Sequence, residues 1–268
     1  MKRTERVGAI VKILSDSPNR IYSLKHFCRL FNAAKSTVSE DVSAARDLLS
    51  QMGLGTIETS TGARGGIRFM PSLSISRKEG LLNELRERLS EGNRILGGGF
   101  LYTSDLMFDS HIISCAAELF AEKFQQRGAD YVVTIETKGI PLAFMTAHML
   151  NLPLVVVRRE SRISEGSTVS INYFSGSTDR IQKLSIAKRA VESGKKAIVI
   201  DDFMRAGGSI KGIVDVLSEF DVKVVGTGVL IAAIEPEKKV ISDYYPLLYL
   251  GKVDEQNKTI EIISTPDR

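Results

Sequence analysis

The segment from Ile198 to Ser209 constrains the fold of this chain more than any other, and it reads Ile-Val-Ile-Asp-Asp-Phe-Met-Arg-Ala-Gly-Gly-Ser. The apolar run Ala197–Ile200 predicts a buried strand that delivers Asp201 and Asp202 to its carboxyl end, where open α/β sheets bind ligands. Apolar residues at helical spacing follow Ser209. The segment therefore predicts a strand, a short loop and a helix, in that order.

The loop between this strand and this helix has the chemistry of a phosphate site. Gly207 and Gly208 let the backbone approach a phosphate closely and point N–H groups at it. Ser209 is predicted to cap the helix, whose N-terminus favours an anion. Asp201 and Asp202 would repel a phosphate, so they suit ribose hydroxyls instead. The segment predicts a site for a phosphorylated sugar; the alternative is an ordinary strand–loop–helix with acidic residues at the strand end.

Apolar strands alternate with helical patterns from Ile95 onward. The predicted strands are 131–135, 154–157, 197–200 and 222–231, and the predicted helices lie near 110–126, 140–150, 180–193 and 209–219. Such alternation is typical of an α/β fold with a doubly wound parallel sheet.

A second loop at a strand end, Thr134–Gly139, precedes a helix that has Pro141 near its first turn. Thr137, Lys138 and Gly139 lie at this helix N-terminus, which makes the loop a natural pyrophosphate site. The stretch from Arg158 to Arg180 is rich in Ser, Gly and Thr and has no buried periodicity. A loop of this length predicts a lid or disorder, with a surface hairpin as the alternative.

The N-terminal 72 residues carry a different pattern, three short helices followed by two strands. The helices have apolar stripes at Val7, Ile10, Val11 and Leu14, at Leu24, Phe27, Leu30 and Phe31, and at Val38, Val42, Ala45 and Leu49. Thr37 and Glu40 are spaced as a capping box that would start the third helix. Two strands around a Gly-rich, Arg-tipped turn span 56–69. Three helices and a hairpin predict a winged helix-turn-helix.

In that fold the front of the third helix enters the major groove of DNA and the wing reaches phosphates or the minor groove. The predicted DNA contacts are therefore Lys35, Ser36, Thr37 and Ser39 on the helix, and Arg64 and Arg68 on the wing. Residues 1–72 hold 11 Lys and Arg against 6 Asp and Glu, a net charge of +5, whereas the remaining residues hold 25 against 26. This asymmetry favours DNA over the alternative, a small helical oligomerisation domain. Because one winged helix covers only a half-site, we also expect a homodimer.

Other functions find no support in the composition. No apolar run approaches the roughly 20 residues needed to span a bilayer, so no membrane partner is expected. Cys28 and Cys115 lie in unrelated segments and the histidines are scattered, so no protein metal site is expected and the setting is a reducing cytoplasm. We expect a linker at 71–77 and a helix over 78–90, which divides the chain into residues 1–72 and 73–268.

The Asp-Asp-Phe-Met-Arg-Ala-Gly-Gly-Ser segment resembles the phosphoribosyl pyrophosphate (PRPP) motif of type I phosphoribosyltransferases, and Glu-Thr-Lys-Gly resembles their pyrophosphate loop. Joined to a winged helix, they resemble the purine operon repressor family of Gram-positive bacteria over essentially the whole chain. The resemblance implies a repressor of purine biosynthesis and transport genes that binds double-stranded promoter DNA. PRPP bound in residues 73–268 would release that DNA.

The same resemblance implies roles for the residues of both loops. Asp201 and Asp202 would hold the ribose hydroxyls, and the pyrophosphate, with Mg²⁺, would lie on the loop at Lys138. Guanosine polyphosphates would be corepressors in the same pocket, with Phe203 and Tyr102 stacked on the base or else part of the core. The implied ligand-binding residues are Tyr102, Thr137, Lys138, Gly139, Asp201, Asp202, Phe203, Met204, Arg205, Ala206, Gly207, Gly208 and Ser209.

The chain departs from the enzymes at the phosphate loop. Their loop usually has Thr before the two glycines, where this chain has Ala206 after a bulky Arg205. We therefore expect PRPP to act as a signal, with no catalytic residues and no turnover. Two alternatives stay open: an active purine phosphoribosyltransferase with an appended DNA-binding domain, and a DNA-binding protein with a vestigial, ligand-free pocket.

Overall fold

The computed structural model describes residues 1–60, 62, 65–160, 166–175 and 180–265. Its N-terminal part contains helices α1 (Arg3–Ser15), α2 (Leu24–Phe31) and α3 (Lys35–Gln51), followed by strands β1 (Thr56–Ser60) and β2 (Gly66–Met70), which pair in antiparallel fashion. The apolar stripes predicted from the sequence meet in one core, formed by Ile10, Leu14, Phe27, Phe31, Val38, Val42, Ala45, Leu49, Ile57, Ile67 and Phe69. The winged-helix prediction is confirmed in its elements and in its core.

The predicted capping box at Thr37 and Glu40 is wrong. Helix α3 begins at Lys35, with Ala34 in an extended conformation as its N-cap and no side-chain cap. Asn32 ends α2 in the left-handed conformation, so only two residues separate it from the start of α3. This tight turn places Thr37 and Glu40 inside the first turns of the helix instead of at its entry.

The remaining residues form an α/β unit. Its elements are α4 (Ile75–Leu89), α5 (Ser104–Met107), α6 (Ser110–Phe124), β3 (Tyr131–Ile135), α7 (Ile140–Leu150), β4 (Leu154–Val157), β5 (Thr168–Ser175), β6 (Arg180–Ala187), β7 (Lys196–Met204), α8 (Gly208–Ser218), β8 (Lys223–Ala233), β9 (Tyr245–Asp254) and β10 (Thr259–Ser264). The six-stranded sheet has the order β10-β9-β8-β7-β3-β4 and is parallel except for the β9–β10 pair. Helices α4, α6 and α7 pack on one face and α8 on the other, which confirms a doubly wound sheet.

Three sequence expectations fail in this unit. Residues 180–187 form strand β6, not a helix, because their alternation buries Leu184 and Ile186 on one face while they pair with β5. For the stretch from Arg158 to Arg180 a lid or disorder was expected, with a surface hairpin as the alternative, and the described residues show the hairpin, over 168–175 and 180–187. Residues 161–165 and 176–179 lie outside the described part. Helix α4 begins at Ile75, with the Ser74 hydroxyl accepting a hydrogen bond from the backbone N of Arg77, so the expected linker is shorter.

Strand β7 also extends further than its apolar run. Pairing with β8 continues through Asp201 opposite Val229 and Met204 opposite Ala232. Strands β9 and β10 were not anticipated. No helix in the described ranges is both long and apolar enough to span a bilayer.

Candidate functional site

Strands β3 and β7 are neighbours at the centre of the sheet, and their connections run in opposite directions along it. Helix α7 leads from β3 to β4, whereas α8 leads from β7 to β8 on the other face. A crevice forms at such a switch point, beyond the carboxyl ends of the strands. Here it is a cleft of about 350 Å³ lined by Gly99, Phe100, Ile135, Glu136, Thr137, Lys138, Arg159 and residues 201–210.

The loop after β7 forms one wall of the cleft. Gly207 adopts the left-handed conformation, with φ of 88°, and is the N-cap of α8. Ser209 is the second residue of α8, so the expected cap by its side chain is wrong. Gly207 has no side chain that could accept a hydrogen bond from the first-turn N–H groups, and no side-chain cap is present among the described residues. Because the first-turn N–H groups of a helix have no intrahelical acceptor, those of α8 are left for an anion in the cleft.

Asp201 lies at the floor of the cleft. It is only 4% exposed, and its Oδ1 accepts a hydrogen bond of 3.0 Å from the backbone N of Asp202. Burial, and then the neighbouring Asp202 carboxylate, raise the pKa of Asp201 well above its ordinary value. Ionising this group therefore calls for ligand donors or cations that replace lost water.

The loop after β3 packs directly on Asp201. A Cβ at Gly139 would lie 2.7 Å from Asp201 Oδ1 and 2.8 Å from Thr134 Oγ1, so glycine is required there by close approach. Thr137 and Lys138 line the cleft above this contact, and the Glu136–Thr137 peptide bond is cis. The structure thus brings together the two loops predicted from the sequence. Gly139 packs below the cleft and is not one of its lining residues.

Glu136 and Arg159 also line this cleft, although Glu136 was identified only as part of the pyrophosphate-loop motif and Arg159 was not expected in the site. The Glu136 carboxylate accepts hydrogen bonds from Arg158 Nη1 at 3.1 Å and from the backbone N of Arg159 at 2.8 Å. This anchoring holds the end of β4 against the β3 loop and places Arg159 in the cleft lining. A usable signal existed, because Arg158 and Arg159 directly follow a predicted parallel strand, whose carboxyl end must reach the same edge of the sheet.

Phe100, not Tyr102, lies at the mouth of the cleft. Gly97, Gly98 and Gly99 all have positive φ and turn the chain so that Gly99 and Phe100 reach the lining. Tyr102 does not line the cleft, and its carbonyl accepts a hydrogen bond of 3.0 Å from Arg94 Nη1. Arg94 is itself held by two hydrogen bonds of 2.8 Å to the Asp105 carboxylate, which keeps the pKa of Asp105 at about 2.

The other residues expected in the pocket differ in burial. Met204 is 2% exposed and packs in the core, although it borders the cleft. Phe203 is half-buried, packs against the opposite core and also lines the cleft, so its stacking on a base stays a prediction. Arg205 is exposed and Ala206 half-buried, and the Ala206 carbonyl accepts a hydrogen bond from Val240 N at 2.9 Å.

The residues expected to bind DNA also differ in burial. Lys35, Ser36 and Ser39 are exposed at the start of α3, and Thr37 is half-buried. Arg68 Nε donates to Glu58 Oε2 at 2.6 Å, and Arg68 lines a cavity against α6 and the end of α7. Alternation along β2 buries Ile67 and Phe69 in the winged-helix core and turns Arg68 to this other side, and a DNA contact by Arg68 stays a prediction. Arg64 lies outside the described residues.

Comparisons with known proteins match both parts of the chain. The model of the family "Bacterial purine repressor, N-terminal" matches residues 2–71, and that of the "Phosphoribosyl transferase domain" matches residues 108–259. The purine biosynthesis transcriptional repressor PurR of Bacillus subtilis is 39% identical over 97% of this chain and 92% of its own length. The purine biosynthesis transcriptional activator PurR of Lactococcus lactis is 34% identical over 98% of this chain and 97% of its own length.

A solved adenine phosphoribosyltransferase from Thermoanaerobacter pseudethanolicus shares the fold of the second part. It superposes with a TM-score of 0.55 at 21% identity, covering 63% of this chain and 99% of that one. At this identity the likeness concerns the fold alone.

Proposed function

This chain belongs to the family of bacterial purine biosynthesis transcriptional regulators, and we propose that it represses its target genes until PRPP releases it from promoter DNA. The observation that carries the proposal is the cleft between β3 and β7. Its uncapped α8 N-terminus, its buried Asp201 and its β3 loop supply separate places for two phosphate groups and the ribose between them. Residues 1–72 bind the promoter in the cytoplasm, and residues 73–268 hold the effector.

PRPP fits the cleft with its 5′-phosphate on the first-turn N–H groups of α8. Its ribose hydroxyls donate to Asp201 and Asp202, and its pyrophosphate lies between Lys138 and Arg159, which line the opposite wall. Among the described residues there is no group of three or more His, Cys, Asp and Glu that could hold a metal ion. Mg²⁺ would be held by the pyrophosphate of PRPP and would offset its negative charge, as this ion commonly does with phosphate ligands.

Repression, and not activation, is the direction proposed. Relatives of both kinds occur, and the repressor from Bacillus subtilis has the higher identity of the two, 39% against 34%. The direction is tested in cells, where deletion of the gene raises transcription of the purine genes if the protein represses. A fall in transcription would assign activation instead.

Guanosine polyphosphates are proposed as a second ligand of the same cleft, acting as corepressors. They too present two phosphate groups around a ribose, and Phe100 and Phe203 offer aromatic faces for the base. The proposal predicts competition, so a guanosine polyphosphate raises the PRPP concentration needed to release DNA. An unchanged PRPP requirement would exclude a shared site.

An active enzyme is the second candidate, favoured by xanthine phosphoribosyltransferase of Oenococcus oeni, which is 27% identical over 63% of this chain. Ala206, in place of the Thr usual in the enzymes, and the bulky Arg205 before it favour a sensor without turnover. Release of pyrophosphate from PRPP in the presence of adenine, guanine, hypoxanthine or xanthine distinguishes the two.

The main experiment measures binding of the full chain to a purine-gene promoter fragment by fluorescence anisotropy, with and without PRPP and Mg²⁺. We expect PRPP to weaken DNA binding by a factor of about 5 to 150, the usual range for coupled sites. Calorimetric titration of PRPP into the same protein checks that the cleft is occupied. DNA affinity that stays constant while PRPP binds would refute the proposal.

A further inference from the structure

Helix α7 joins the ligand cleft to the winged helix. Its N-cap is Gly139, the residue that closes the β3 loop against Asp201. It spans Ile140–Leu150, so it rises about 16 Å from the cleft edge of the sheet to the opposite edge. Its inner side chains are buried in the main core, which makes the helix a rigid element.

The far end of α7 contacts the DNA-binding part. The Met149 carbonyl, in the last turn of α7, accepts a hydrogen bond of 2.8 Å from Asn19 Nδ2. The last carbonyls of a helix have no intrahelical donor, so an outside amide is a suitable partner. Asn19 also donates its backbone N–H to the Phe69 carbonyl of β2, at 2.7 Å. One residue therefore ties the wing strand to the helix that begins in the ligand loop.

The surroundings of this contact leave room for a shift. A cavity of about 250 Å³ lies beside it, lined by Asn19 and Arg68 from the winged helix and, from the other part, by Phe124, Gln125, Gly128, Ala129, Leu150, Asn151, Leu152 and Ile198. Gln125 Oε1 is buried there without a hydrogen-bond partner among the described residues. An incompletely packed boundary can adopt a second arrangement at lower cost than a filled core.

We propose that α7 transmits occupancy of the pyrophosphate loop to the winged helix through the hydrogen bond between Asn19 and Met149. This inference rests on the proposed function and adds the structural path by which ligand binding affects DNA binding. A ligand that moves Thr137 and Lys138 moves the N-terminus of α7, and a rigid helix passes the displacement to Met149. The wing strand then shifts with Asn19, and the cavity accommodates the shift.

The test removes the amide donor without disturbing the backbone. Asn19 has φ of 60°, a conformation that Gly and Asp also tolerate, so N19G and N19D are the suitable variants. Asn32, with φ of 46°, lies in the same domain and makes only backbone hydrogen bonds among the described residues, which makes N32G the matched control. The full-length proteins are compared for the ratio of promoter Kd with saturating PRPP and Mg²⁺ to promoter Kd without them.

We expect the ratio, about 5 to 150 in the wild-type protein, to fall close to one in N19G and N19D, and to keep its wild-type value in N32G. Calorimetry should show PRPP binding to the DNA-free variants within about twofold of wild type, because Asn19 does not touch the cleft. A wild-type ratio in both Asn19 variants would overturn the proposal, as would loss of PRPP binding in the absence of DNA. A ratio of one in the wild-type protein would instead refute the proposed function.

Discussion

Replacing Gly139 with Ala tests whether the two loops of the cleft depend on each other. The backbone at Gly139 has φ of −68°, which alanine adopts freely, so the substitution adds only a methyl group. That group would lie 2.7 Å from Asp201 Oδ1, 2.8 Å from Thr134 Oγ1 and 3.4 Å from Asp201 Cα. Both oxygens belong to short side chains on buried strands, so neither can rotate far away.

The magnitude follows from this crowding. A carbon and an oxygen atom need more than 3 Å, so the β3 loop must move outwards or Asp201 must be displaced by several tenths of an ångström. Overpacking of this kind costs about 1–3 kcal/mol of unfolding free energy. Moving the loop by that distance also misplaces Thr137 and Lys138, so we expect PRPP affinity to fall at least about tenfold, which corresponds to about 1.4 kcal/mol.

The assay combines chemical denaturation with calorimetric titration of PRPP and Mg²⁺. Gly80 provides the matched control, because a Cβ there meets nothing within 4 Å and the residue lies inside α4. G80A should stabilise the protein by about 0.5–1 kcal/mol, through helix propensity, and leave PRPP binding unchanged. The reasoning fails if G139A binds PRPP as tightly as wild type and unfolds within about 0.5 kcal/mol of it.

Three further changes test the site, the DNA face and the chemistry. Asp201 has a raised pKa, so the folded protein holds its proton while the unfolded chain releases it, and this destabilises the ligand-free fold increasingly above about pH 4. We expect D201N to unfold at higher denaturant concentration than wild type at pH 7 and at the same concentration below pH 4. The variant should also lose the PRPP response. Equal stability of D201N and wild type at both pH values would contradict the argument from burial. For K35Q the slope of log K against log salt should decrease by about 0.9, since one phosphate contact is lost, whereas K12Q, whose ammonium pairs with Asp16, should keep the wild-type slope. An unaltered slope in K35Q would remove Lys35 from the interface. No pyrophosphate should appear with any purine base, and turnover near one per second would establish an enzyme.

Most of the fold could be predicted from local sequence patterns. The helical stripes of the winged helix and the alternation of strands with α6, α7 and α8 depend on neighbours a few residues apart, so they are visible in the sequence. A helix was expected where β6 lies, and a hairpin was only the alternative for this stretch, because pairing with β5 and not local propensity decides the conformation there. Strand β7 extends beyond the apolar run 197–200 for the same reason, because β8 continues to pair with it at Asp201 and Met204.

The residues of the candidate site likewise separate into those with a local sequence signature and those without one. Asp201, Asp202 and the two loops have sequence signatures, because their roles depend on a strand end and a helix start within one segment. Phe100 and Arg159 reach the cleft from separate segments, and only the packed sheet brings them there. Arg68 is a different case, since its place on the wing strand could be predicted from the sequence but the neighbouring α6 and α7 decide what its side chain faces.

The first-turn N–H groups of α8, which have no side-chain cap among the described residues, have a practical consequence for identifying ligands. A helix that lacks an acceptor for its first amides gains more from an anion than a capped helix does, and the gain appears as resistance to heating. A ligand present at about 100 times its Kd adds about 2.7 kcal/mol, which raises the melting temperature of a domain of this size by several degrees. Thermal melting of the ligand-free chain against a panel of phosphate esters can therefore rank candidate effectors before any promoter or reaction is known.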